Sequence, residues 1–363
     1  MLTTRPPRTG SATFPPGSPS AVSRIAIFQA LNLGDLLCAT PAARALRQRY
    51  PDAGITWIGR PAMRLLIERL TSVDRFQPFP GFAGIAESPP DGAPPTAWQH
   101  FDLALQFHGS GEICNGFLAS LDAKHSVGYG PRGDDRLSTV MPWVEEEPEP
   151  RRWLRLAAAA GARCDDWSLE MPITPAEREQ ALSLLRYSAW GRLIGLHVGA
   201  SQPARCWPAA RFAALGDLLA ARYRATIVLT GSRDDRPLTR EVGDLMRHAP
   251  LDLAGETSLG AFGAVVASLD LLVSNDTGAS HVAAATGTSS VVLFGPTRPG
   301  RWAPLDRNRH RVVDATQVCP TAANGADALR QLPIDVVLEV CDAAIEAPRT
   351  LRRSPAEVLS WAG

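Results

Sequence analysis

The chain has 363 residues, enough for two domains at about 150 residues each. Apolar residues make up 45% and charged residues 20%, ordinary for a globular protein with sizeable cores. Basic and acidic residues balance at 37 each, which excludes the large uniform basic field of a nucleic-acid-binding protein but leaves room for local basic pockets.

In chain order, the opening MLTTRPPRTGSATFPPGSPS is rich in Pro, Ser, Thr and Gly. It lacks the apolar core of a signal peptide, so residues 1–21 are expected to form a disordered leader. Apolar β-rich runs then alternate with helical patterns, the mark of an α/β chain with parallel sheets. Strands are expected at 24–28, 55–58 and 102–107, and a short one ending near Tyr129. Helices are expected from Gly34-Asp35 to about Tyr50, near 63–70, and again after Gly111. Residues 80–97 are Gly- and Pro-rich and read as a long surface loop. The composition shifts at 131–152, where EEEPEPRR reads as a polar linker, followed by a helical segment at 153–161.

Thr174-Pro175-Ala176-Glu177 is a capping box with proline at the first helical position, so a helix should run from there to about Tyr187. A second alternating series follows. Its strands are expected at 193–198, 225–230, 251–253, 271–274 and 290–294, and its helices at 208–222, 234–247, 258–268 and 277–286. Ser354-Pro355-Ala356-Glu357 signals a last helix. The whole suggests two Rossmann-like domains facing a cleft, with ligands beyond the carboxyl ends of the strands.

Four segments sit where such ligands would bind. Asn32-Leu33-Gly34-Asp35 follows the first strand. With one glycine it is a poor dinucleotide fingerprint, but it offers a close-approach glycine and a carboxylate at a helix start. Asp35 either caps the helix or serves as a general base. His197-Val198-Gly199-Ala200-Ser201 runs on through Arg205-Cys206-Trp207-Pro208 into a helix. Small residues, the Ser201 hydroxyl and the Arg205 guanidinium together suit a diphosphate, while Trp207 reads as a packing residue. The alternative is a plain strand–loop–helix turn with an exposed arginine.

The third segment, Ser274-Asn275-Asp276-Thr277-Gly278-Ala279-Ser280-His281, carries a strand into a helix N-terminus that favours a phosphate. Asp276 would repel a phosphate placed directly against it, so it suits sugar hydroxyls or the turn itself. His281, one helical turn inside, is either structural or a ligand contact. The fourth, Phe294-Gly295-Pro296-Thr297, is a rigid strand exit with a weak signal for ligand contact. Asp234 follows a strand and could meet a ribose, or merely open a solvated helix. His108-Gly109-Ser110-Gly111 could line the acceptor side of a cleft.

No stretch approaches the roughly 20 apolar residues of a membrane span. Six scattered cysteines form no CxxC pair or zinc spacing and read as buried or incidental thiols of a reducing compartment. All basic residues but Lys124 are arginine.

Three of these segments, in order over residues 22–315, resemble glycosyltransferase family 9, the ADP-heptose:lipopolysaccharide heptosyltransferases. They are NLGDLLCATPAARALRQRYPDAGITWIG, GLHVGASQPARCWPAARFAAL and SNDTGASHVAAATGTSSVVLFGPTRPGRW. The resemblance implies the GT-B fold. It implies an acceptor-side domain over 22–172, a nucleotide-sugar domain over 173–350, and a helix at 351–363 packing back on the first. Asp35 matches the proposed catalytic base, with Gly34, His108 and Ser110 on the acceptor side. Ser201, Arg205, Thr277 and Gly278 match the donor-diphosphate positions. Asp276, His281 and Asp234 match the donor sugar or ribose contacts, and Thr257 and Ser258 lie where the family meets the base.

The chain departs from the family in having Val198 where proline is commoner and Arg205 where lysine is common. Only Cys319 remains where some members carry a cysteine cluster, which argues against a metal there. The expectation is an inverting, metal-independent transferase that uses a nucleotide sugar, ADP-heptose, as substrate and needs no cofactor. Its acceptor would be a glycan or glycolipid such as lipopolysaccharide core, and nucleic acid is not a partner. It would be cytoplasmic, with peripheral contact at the inner membrane. The alternatives are a GT-B transferase or epimerase for another nucleotide sugar, and a degenerate nucleotide-sugar-binding protein.

Overall fold

A computed structural model describes residues 21–79, 81, 100–163, 165–185 and 191–346. The expected leader, most of the Gly/Pro loop, the end of the helix expected to reach Tyr187 and the helix expected at 354–362 lie outside these. The chain divides into two compact units, Met1–Glu170 and Met171–Gly363.

The first unit holds six parallel strands: β1 (Arg24–Phe28), β2 (Gly54–Gly59), β3 (Arg75–Pro78), β4 (Leu103–Gln106), β5 (His125–Tyr129) and β6 (Thr139–Met141). Their spatial order is β3-β2-β1-β4-β5-β6. Parallel strands covered on both faces read as nearly continuous apolar runs, and β4 is buried at every position. Under the carboxyl end of β1, Phe28 packs against Phe79 and Phe117 with ring centroids 4.9 and 4.5 Å away.

The helix Leu33–Arg49 follows β1 and contains Pro41, which cannot donate to the Leu37 carbonyl. The Thr40 hydroxyl takes over that bond at 2.7 Å and accepts the Glu170 N–H at 2.9 Å. The helix therefore runs through its proline and is tied to the last residue of its unit.

The second unit repeats the plan with β7 (Arg192–His197), β8 (Ala225–Thr230), β9 (Leu251–Asp252), β10 (Leu271–Asn275), β11 (Ser290–Phe294) and β12 (His310–Asp314). All pairs are again parallel, and the order is β12-β11-β10-β7-β8-β9. Its core joins Leu196, Val273 and Leu293 to Trp207, Phe212 and the helix Ile334–Glu346. The expected capping box forms: the Thr174 N–H donates to Glu177 Oε2 at 2.9 Å, and the Glu177 N–H to Thr174 Oγ1 at 3.3 Å.

The structure corrects the sequence reading in two ways. The polar linker expected at 131–152 is built into the first unit, with β6 in register beside β5 and a helix starting at Glu149. Three of its charges are buried and paired: Arg152 meets Glu149 at 3.2 Å and lies over the Trp143 ring, and Glu147 meets the half-buried Arg155. Paired, hydrogen-bonded charges can enter a core, and composition alone does not show the pairing. The second correction adds β3, β6 and β12 and the helices Gly325–Gln331 and Ile334–Glu346. The three added strands are all sheet edges, only partly buried along their length, and so lack the continuous apolar run that marks a central strand.

Candidate functional site

In each sheet the strand order reverses once, between β1 and β4 in the first unit and between β7 and β10 in the second. A crevice opens at such a point, because the loops on either side leave in opposite directions.

In the first unit, β1 exits into Asn32, which takes the N-cap position of the helix, so Asp35 is its third residue. Asp35 is half-buried and Gly34 lies beside it. The buried Gln29 donates from Nε2 to the Asp35 carbonyl at 3.0 Å, while its own carbonyl accepts from the Trp57 indole at 3.2 Å. The carboxylate-bearing turn is thus fastened to the sheet by a residue that the sequence reading did not single out.

Across the reversal, His108 follows β4. Its Nδ1 accepts the Ala30 N–H at 3.0 Å, and its ring stacks on Phe28 at 5.0 Å. In the neutral ring the proton is therefore on Nε2. Burial pushes the His108 pKa down to about 4, so it stays neutral near pH 7. Gly109 and Gly111 have φ of +75° and +95°. At Gly111 a side chain would collide with the Tyr129 carbonyl, so only glycine fits. Ser110 between them is exposed. The first unit thus brings Gly34, Asp35 and His108 to one edge of its sheet.

In the second unit, the loop from β7 carries Ser201, exposed, and Arg205, half-buried. The turn from β10 carries Asp276 and Thr277. Thr277 is the N-cap of the helix Gly278–Thr286, and its Oγ1 accepts from the Ala279 N–H at 3.3 Å. The positive end of that helix dipole lies here. The two segments are joined by Asn275, which is fully buried at the end of β10. Its Nδ2 donates to the Val198 carbonyl at 2.8 Å, and its Oδ1 accepts the Trp207 N–H at 3.0 Å. Trp207 is a core residue, as expected, with its indole donating to the Leu332 carbonyl at 3.2 Å.

Asp276 is 5% exposed. Burial pushes its pKa up, while the Thr297 hydroxyl and the Arg205 guanidinium pull it down. Arg205 thus lies near enough to Asp276 to act on it electrostatically. Arg205 Nε is buried with no protein partner. His281 is buried too, and burial lowers its pKa to about 4, so it is a neutral imidazole rather than a cation.

Asp234 lies in the turn after β8 and is exposed. Its neighbour Asp235 turns inward instead, accepting from Ser232 N–H and Oγ at 2.7 Å each. A methyl group on Gly199 would collide with Asp235 Oδ1, so the carboxylate packs directly over the β7 loop. Thr257 is half-buried, and Ser258 caps the helix Leu259–Ser268 by accepting from the Ala261 N–H at 3.2 Å. That loop is tied to the one after β8 by the Gly255 N–H, which donates to the Gly231 carbonyl at 2.9 Å.

Asn275 and Asp235 are the residues that sequence reasoning missed in this unit. A signal existed for Asn275, since an amide closing the buried run Leu-Leu-Val-Ser must find partners. Among the described residues no three His, Cys, Asp or Glu side chains gather to hold a metal ion. None of their helices is long and apolar enough to cross a membrane.

Known proteins are similar to this chain in sequence and in fold. The family model for glycosyltransferase family 9 (heptosyltransferase) matches residues 118–327. Lipooligosaccharide heptosyltransferase 2 of Haemophilus influenzae is 34% identical over 292 residues, 75% of this chain and 83% of the relative. Its namesake in Haemophilus ducreyi is 31% identical over 329 residues, 84% and 93% of the two chains. Among solved structures, ADP-heptose lps heptosyltransferase II of E. coli superimposes with a TM-score of 0.69 at 23% identity, covering 89% of this chain and 98% of that one. The fold is thus GT-B, and the chain belongs to glycosyltransferase family 9 and is a glycosyltransferase.

Proposed function

We propose that this enzyme transfers a heptose from ADP-heptose to a hydroxyl of a glycan or glycolipid of the lipopolysaccharide-core kind, with inversion and without a metal ion. Relatives named as heptosyltransferases support the sugar, and the E. coli structure named for ADP-heptose supports the donor. The observation that supports the mechanism is that Asn275 holds the loop bearing Arg205 to the end of β10, from which Asp276 and the capped helix start at Thr277 follow. A guanidinium and a helix N-terminus together offer the positive charge that a leaving diphosphate needs.

In this reading the Asp35 carboxylate takes the proton from the acceptor hydroxyl. The oxygen attacks the anomeric carbon from the face opposite the diphosphate. The bond from that carbon to the diphosphate oxygen breaks, and the configuration inverts. The charge developing on ADP falls on Arg205, Ser201 and the helix start at Gly278. Preorganised donors of this kind are worth roughly 3–4 kcal/mol each in other enzymes. Asp276 and the neutral His281 serve the sugar hydroxyls, Asp234 the ribose, and Thr257 and Ser258 the base. On the acceptor side, His108 offers a neutral Nε2–H and Ser110 a hydroxyl. The enzyme works in the cytoplasm, with peripheral contact at the inner membrane when its acceptor is a glycolipid.

The test is calorimetric titration with ADP, UDP and GDP, each with and without EDTA. The expected result is a preference for ADP that EDTA does not change. Preference for UDP or GDP would overturn the donor, and loss of binding in EDTA would overturn the metal-free mechanism.

A further inference from the structure

We propose that Asn275 is a positioning residue for the donor: its buried amide sets the loop bearing Ser201 and Arg205 against the turn bearing Asp276 and Thr277. The inference rests on the donor-site reading above and adds to it the group that holds the two halves together.

Asn275 is a polar side chain at the end of a buried, largely apolar run. β10 is buried at every position, and Asn275 is its last residue, at 0% exposure. A buried amide is tolerated only when its donors and acceptor are met. Here they are met by a single loop. Nδ2 donates to the Val198 carbonyl at 2.8 Å and reaches the Gly199 carbonyl at 3.4 Å, and Oδ1 accepts the Trp207 N–H at 3.0 Å. Residues 198 and 207 are the two ends of the stretch that leads from β7 to the helix Ala209–Tyr223. One side chain therefore closes this loop at its neck. The residues next in sequence to that side chain are Asp276 and the helix cap Thr277.

The chemistry is specific to an amide. An aspartate would keep the acceptor for Trp207 but would press a carboxylate oxygen against two carbonyl oxygens. A leucine would keep the volume and leave three backbone groups without partners. A serine is too short to reach both ends of the loop. Asp235 packs over Gly199 from the β8 side, and the Trp207 indole reaches the Leu332 carbonyl at 3.2 Å, but neither joins the two ends of the loop to each other. Arg205 lies inside the closed loop and is close enough to Asp276 to lower its pKa, so a loosened neck moves the guanidinium relative to the turn.

The experiment compares wild type, Asn275→Asp, Asn275→Ser and Arg205→Ala, together with the double variant of Asn275→Ser and Arg205→Ala. Three quantities are read for each: ADP affinity by calorimetry, KM for ADP-heptose and for acceptor, and melting temperature. The expected result is a 10-fold or greater loss of ADP affinity in the folded Asn275 variants. Donor KM should rise in parallel while acceptor KM stays within 2-fold. A loop that is already displaced has little left for Arg205 to contribute, so Arg205→Ala should cost less in the Asn275→Ser background than in wild type.

Unchanged ADP affinity in a folded Asn275 variant overturns the proposal. So does an equal rise in both KM values, additivity with Arg205→Ala, or failure of both Asn275 variants to fold, each of which assigns Asn275 to stability alone. If Arg205→Ala in the wild-type background leaves ADP affinity intact, the donor-site reading itself fails, a result distinct from all of these.

Discussion

Asp35 carries the chemistry of the proposed reaction, and its setting shows how little the chain spends to present it. The carboxylate sits in the first helical turn, and Gln29 pins the turn from beneath. Asp35→Asn keeps the shape and removes the base. Turnover should fall by about 10²–10⁴-fold, the usual worth of a general base, with ADP affinity within a few-fold of wild type. Single-turnover rates together with calorimetry check this, and retained turnover would move the base elsewhere. The pair Asp234 and Asp235 is instructive at the same scale. The sequence reading offers Asp234 as a ribose contact, and the structure leaves it exposed, while Asp235 is held by Ser232 and packed on the β7 loop. Adjacent carboxylates look alike in a sequence, and only the hydrogen bonds made by the turn separate them.

Among the elements, one helix runs through a proline and one strand exit is set by a close approach. Pro41 would break the helix Leu33–Arg49 if Thr40 did not supply the bond to the Leu37 carbonyl that proline lacks. In the second unit the exit from β11 passes back to back with the start of the helix Gly325–Gln331. A side chain at Gly295 would lie 2.7 Å from the Gly325 carbonyl oxygen and 2.9 Å from Leu329 Cβ. Backbone on that side cannot give way as a flexible side chain can. Gly295→Ala should therefore destabilise the protein by about 1–3 kcal/mol, the usual cost of overpacking. Urea unfolding checks this, and an unchanged midpoint would show that the helix start can shift freely. The Gly-Pro exit, which reads from sequence as a plain turn, is thus also a packing constraint.

At the scale of the whole molecule, four imidazoles are held neutral. His108, His197, His281 and His310 each have a pKa pushed by burial from 6.5 to about 4. The unfolded chain binds protons on these rings near pH 6.5 and the folded chain does not. Their contribution to stability is therefore complete above about pH 6.5 and is lost progressively as the pH falls towards 4. Burial raises the pKa of Glu170 and Asp276, which acts in the opposite sense, but two carboxyls stand against four rings. Melting temperature should fall steadily from pH 7 to pH 4.5. A flat or rising profile would show that the rings are accessible to protons in the folded state.

Read alone, the sequence determined the repeated α/β plan, the central strands of both sheets and the residues at their carboxyl ends. It could do so because parallel strands buried on both faces leave continuous apolar runs, and the turns after them leave Gly, Asp, Thr and Arg at fixed offsets. Tertiary structure alone decided the rest. It made β3, β6 and β12 strands through neighbours on one side only, and it admitted Glu147, Glu149 and Arg152 to a core by pairing them. It also turned Asn275 from a letter before a motif into the clasp of a loop far away in the chain. These outcomes depend on which groups meet across long sequence separations, and local pattern carries no record of that.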